Sequence, residues 1–142
     1  MGTWDLGHFD NDTAADFAGG LDDAAPGERA GLLRAALECA ARGPEFLDDD
    51  EGVEAVAAAA LVAAQCPGGT AVTTAYGPGE PIPPLPVELR PLAVAALDRV
   101  VAGESELAGL WDEAGSGEAW RRGIAALREV LAQARGARVA EA

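Results

Sequence analysis

The sequence has 142 residues, a formal net charge of −14 at pH 7 and an apolar share of 49%. This length fits one domain of ordinary size that buries a real core. No apolar run approaches the roughly 20 residues that a membrane-spanning helix needs, and the first residues lack the features of a signal peptide. We therefore expect a cytoplasmic protein that does not enter a membrane.

The negative charge is concentrated in the first third of the chain. Residues 1–54 hold fourteen acidic residues against three arginines, a balance of −11, whereas residues 55–142 have a balance of −3. A surface of this sign repels nucleic-acid phosphate and attracts basic partners or cations. The sequence thus argues against nucleic-acid binding and favours a basic protein partner. All ten basic residues are arginines, a bias that we expect from a GC-rich bacterial genome.

An irregular arm opens the chain and leads into the first helix. Its aromatic residues, Trp4 and Phe9, are expected to be buried as anchors. The run from residue 10 to residue 12 offers N-cap side chains for a helix that ends near Leu21. The Gly19–Gly20 pair is expected to end or fray that helix.

Two further helices have clear start and stop signals. The second begins at Pro26 and is stopped by Gly43–Pro44, because glycine favours helix ends and proline does not continue a helix. The third is capped by Asp48–Asp50 and has one apolar stripe with helical spacing. The stripe consists of Val53, Val56, Ala57, Ala60, Leu61 and Ala64.

A Pro/Gly-rich loop at residues 67–87 separates these helices from the second half of the chain. The helical pattern resumes at Glu88, and Ser105 and Ser116 are expected N-caps of two more helices. Together the segments predict an all-α fold, a single-domain helical bundle of about five to six helices over residues 1–135. Residues 136–142 are expected to form a frayed tail.

Trp111 and Trp120 lie at positions where helical spacing predicts core anchors rather than a ligand-binding box. The two cysteines, Cys39 and Cys66, form no CxxC motif and are interpreted as reduced, small hydrophobic residues. A single histidine, His8, excludes a zinc site built from several histidines, and we interpret it as a loop residue with a local hydrogen bond.

The first acidic run does not match a calcium-binding loop. The EF-hand pattern needs glycine at its sixth position and glutamate at its twelfth, where Ala15 and Leu21 stand. Such runs are more often helix caps and solvated faces than metal sites. The sequence therefore predicts no metal, no cofactor and no catalytic residue set.

The N-terminal residues resemble the signature of a bacterial family known as domain of unknown function 4259. The signature reads Gly2-x-Trp4-x-x-Gly7-x-Phe9-x-Asn11-Asp12-x-Ala14-x-Asp16-Phe17. A later segment, Ser105-Glu106-Leu107-x-x-Leu110-Trp111-x-Glu113, is similar to the same family. The resemblance implies a small helical protein without an assigned activity, in which the aromatic residues of the arm and the following helix cap have structural roles.

These observations favour a non-enzymatic interaction module, regulatory or immunity-like, that presents an acidic N-terminal face to a basic partner. The candidate functional residues are Trp4, His8, Phe9, Asn11, Asp12 and Asp16. The alternative is a small hydrolase or cation-binding protein that uses the N-terminal aspartates. The oligomeric state is left open by the sequence.

Overall fold

A computed structural model describes residues 12–42, 47–66, 85–102 and 105–137 of the chain. These residues form α1 (Asp12–Asp23), α2 (Pro26–Arg42), α3 (Asp49–Ala64), α4 (Leu89–Val100), α5 (Glu106–Glu113) and α6 (Gly117–Ala137). They contain no β-sheet, and two of them, Leu47 and Ser105, form an isolated parallel β-bridge. The prediction of an all-α, single-domain helical bundle is confirmed.

Three predicted features lie wholly or mostly outside the described residues. These are the N-terminal arm, the 67–87 loop up to residue 84, and the tail from residue 138. At its described end, α6 continues through Gly136 to Ala137 and so extends two residues into the predicted tail.

Helix α3 is the central element of the bundle and packs against α1, α2, α4, α5 and α6. All nine residues from Ala55 to Ala63 are buried. The prediction of a single apolar stripe therefore underestimates how much of this helix is buried. Alanine supplies most of the segment, and its small side chain lets neighbouring helices approach from every side.

Helix α1 continues through Gly19 and Gly20 to Asp23, so the prediction that these glycines end it is wrong. Both glycines are exposed, while Ala14, Ala18 and Leu21 are buried in the core. Because these apolar residues recur on one face, packing holds the helix together across a locally unfavourable pair.

Helices α2 and α4 have ends close to those predicted. α2 begins at Pro26 and ends one residue before Gly43, and α4 begins at Leu89, one residue later than expected. The apolar residues that recur with helical spacing in α4 are all buried. They are Leu89, Leu92, Ala93, Ala96, Leu97 and Val100.

Helices α5 and α6 form a tight helical hairpin. Ser105 caps α5 as predicted, since its side chain accepts a hydrogen bond from the Ala108 amide. Gly115 has φ of +84° in the connection, a left-handed conformation that glycine adopts without strain. Trp111 and Trp120 stack with ring centroids 6.2 Å apart and are both buried, so the prediction that they anchor the core is confirmed.

None of the described helices combines the length and the apolar character that are needed to cross a bilayer.

Candidate interaction surface

The described part of the chain includes two of the six candidate residues from the sequence. Trp4, His8, Phe9 and Asn11 lie outside it. Asp12 is the first residue of α1, and its side chain is not among those described. The remaining candidate, Asp16, is exposed on α1, so its carboxylate is accessible to solvent.

A side-chain hydrogen bond joins the start of α1 to the start of α3. The Thr13 hydroxyl donates to Asp50 Oδ1 at 3.3 Å. Asp16 follows Thr13 by one turn on the same flank of α1, since residues three apart are neighbours on a helix surface. The acidic run around Asp16 and the acidic run around Asp50, which are about 35 residues apart in sequence, therefore lie on the same side of the bundle.

A second contact joins α2 to the same end of α3. The Cys39 thiol donates to Glu51 Oε2 at 3.3 Å, and Cys39 is exposed. Cys39 therefore does not fit the interpretation as a small hydrophobic residue, because its thiol is exposed and donates to a carboxylate. Cys66 does fit that interpretation, because it is buried and its thiol donates to the Val62 carbonyl. Both cysteines are free.

We use the term acidic face for the carboxylates that these contacts bring to the α1–α3 junction. The acidic face consists of Asp16, Asp48, Asp50, Glu51 and Glu54, each exposed or half-buried. Asp48 occupies the N-cap position of α3 as predicted, but its side chain makes no capping hydrogen bond.

Two groups at the acidic face have raised pKa values. Burial raises the pKa of the Glu54 carboxyl above its ordinary value, and the charges of Asp50 and Glu51 add to this effect. The pKa of the Cys39 thiol is also raised, first by partial desolvation and then by its hydrogen bond to Glu51 and by nearby carboxylates. Both shifts favour the protonated, uncharged form of the group.

The arginines of the first third make contacts away from the acidic face. Arg34 forms an ion pair with Glu88 at 2.9 Å, and Arg42 forms one with Glu38 at 3.0 Å. Arg29 donates to two backbone carbonyl groups at the end of α1. The carboxylates of the acidic face are exposed or half-buried, so their negative field reaches the solvent.

Helix α5 holds the start of α3, and with it the acidic face, in a fixed position. The Glu106 amide donates to the Leu47 carbonyl at 2.9 Å. Gly52 lies so close to Leu107 that an added Cβ would be 3.3 Å from its side chain. A side chain at position 52 would press against α5, which explains a glycine inside an otherwise regular helix.

The described residues offer no arrangement suited to a bound metal ion. Among them, no group of three or more His, Cys, Asp or Glu side chains converges in a way that could hold one. The acidic face contains one carboxylate from α1 and four from the start of α3.

Sequence reasoning missed the contributions of Cys39, Glu51 and Glu54. The spacing of Glu51 and Glu54 along α3 places them on one flank, so their proximity could have been inferred. Cys39 could not have been found in this way, because only the packing of α2 on α3 brings its thiol to Glu51.

The chain matches a known protein family. A family model described as a domain of unknown function (DUF4259) matches residues 2–123 of the chain. No curated protein and no solved structure matches it.

Proposed function

Since this chain belongs to the DUF4259 family, whose description assigns no activity, we propose that it is a protein-interaction module without enzymatic activity. In this proposal the protein acts in the cytoplasm, in a regulatory or immunity-like role, and its acidic face binds a basic partner protein. The observation that carries the proposal is the group of carboxylates at the start of α3, where burial and then the charges of Asp50 and Glu51 raise the pKa of Glu54.

Crowded carboxylates cost free energy in the unbound protein, because like charges repel each other and half-buried groups lose hydration. Arginine or lysine side chains of a partner would offset this cost and would return the pKa of Glu54 towards its ordinary value. Such a surface also accelerates association with a basic protein, whereas it repels nucleic acid.

A charge-neutralised variant tests the proposal. The triple variant Asp50→Asn, Glu51→Gln, Glu54→Gln removes three charges from the acidic face. A matched control, Glu113→Gln, Glu118→Gln, Glu129→Gln, removes three charges from exposed positions on α5 and α6. The two variants carry the same net charge, so a difference between them reports the location of the charge and not its total.

Each protein is immobilised, exposed to lysate from its native host and washed at increasing salt concentration, and the captured proteins are identified by mass spectrometry. We expect a basic protein that binds the wild type and the control, with an association rate that falls on the order of tenfold as salt screens the attraction. Its binding to the acidic-face variant should be lost. Equal binding of the partner to both variants, or binding that does not change with salt concentration, contradicts the proposal.

Calorimetry separates this proposal from the cation-binding alternative. Titration of the wild-type protein with Mg²⁺, Mn²⁺, Ca²⁺ and Zn²⁺ should give no saturable heat if the carboxylates serve a protein partner. Saturable binding of one of these ions with a simple stoichiometry would instead support the alternative based on the N-terminal aspartates.

A further inference from the structure

We draw no further inference here: the strongest candidate, the cluster of carboxylates around the exposed Cys39 thiol where α2 meets the first turns of α3, belongs to the acidic face already described, and nothing in the described part of the chain shows what would occupy it.

Discussion

The guanidinium group of Arg29, which belongs to α2, lies against the carboxyl end of the preceding helix, α1. Its Nε donates to the Leu21 carbonyl at 2.7 Å and its Nη2 donates to the Asp22 carbonyl at 3.3 Å. The residue is 5% exposed, which is low for an arginine. The last carbonyls of a helix lack the usual partners within the helix, and this side chain supplies donors to them in addition to the Ala24 amide, which donates to the Leu21 carbonyl at 3.2 Å.

Replacing Arg29 with methionine should destabilise the fold by about 2 kcal/mol, since the apolar stem is kept while the charged donors to buried carbonyls are lost. Arg122→Met is the matched control, because Arg122 is exposed on α6, and it should change stability by less than about 0.5 kcal/mol. Urea denaturation followed by circular dichroism measures both. Equal losses in the two variants would show that Arg29 does not act as a cap.

The contact of Cys39 with Glu51 should be visible in the reactivity of the thiol. In a Cys66→Ser background, which leaves one cysteine, alkylation by iodoacetamide reports the thiolate of Cys39. Partial desolvation and then the nearby carboxylates, Glu51 first among them, raise the pKa of this thiol, so Glu51→Ala should accelerate alkylation at neutral pH by roughly two- to fivefold and move the pH profile to lower pH. Glu113→Ala, on α5, should leave the profile in place. A Glu51→Ala profile identical to that of the parent would rule out the contact.

At the scale of helices, the predictions that succeeded depend on local chemistry. Pro26, Gly43 and Ser105 mark helix ends because their backbone preferences or side-chain donors and acceptors act within a few residues. The predictions that failed depend on tertiary packing. The Gly19–Gly20 pair does not end α1, because burial of Leu21 outweighs the unfavourable propensity of glycine.

The central position of α3 also required knowledge of packing. A stripe of larger side chains predicts which side of a helix is buried, but alanine is compatible with any side. In α3 the alanines outside the stripe, such as Ala58 and Ala59, are completely buried. The sequence therefore showed that α3 is a helix but not that it is surrounded by five others.

Within α3, the position of Glu54 determines its energetic effect. Asp50 and Glu51 lie in the first turn, where the helix dipole favours negative charge, but Glu54 lies beyond it. Burial and the neighbouring carboxylates raise the pKa of Glu54, so its ionised form is disfavoured in the folded protein. The free energy of unfolding should therefore fall as pH rises from the ordinary carboxyl pKa, about 4.3, through the raised pKa of the folded state.

Glu54→Gln should remove this effect. The variant is expected to be more stable than the wild type at pH 7 and to lose that advantage below about pH 4, where the wild-type carboxyl is protonated in both states. Urea denaturation at a series of pH values measures the difference, with Glu113→Gln as a control that should follow the wild type. A Glu54→Gln variant that is less stable at pH 7 would contradict the assigned crowding.

For the whole molecule, the sequence predicted the fold class and the sign of the surface but not the composition of the acidic face. The charge imbalance between the two parts of the chain was visible directly. Which carboxylates lie together depended on the contacts of Thr13 with Asp50 and of Cys39 with Glu51, and both join residues that are far apart in sequence. Of the candidate residues in the N-terminal signature, Asp16 has a described side chain, which lies exposed on α1 one turn after Thr13.

The net charge of −14 also affects the stability of the fold as a whole, since repulsion between like charges opposes the compact state. Salt screens this repulsion, but it also weakens exposed ion pairs such as Arg128–Asp98 and Arg121–Asp112. Exposed pairs of this kind contribute about 0 to 1 kcal/mol each, so we expect the excess of 14 charges to dominate.

Sodium chloride should therefore raise the thermal unfolding temperature at pH 7 by a few degrees, roughly what 1 kcal/mol produces in a domain of this size. The increase should disappear near pH 4.2, the isoelectric point, where the repulsion has been titrated away. Scanning calorimetry at low and at moderate ionic strength measures both values, with light scattering to detect aggregation. A decrease at pH 7 would mean that the ion pairs between helices, and not the repulsion, govern the electrostatic part of the stability.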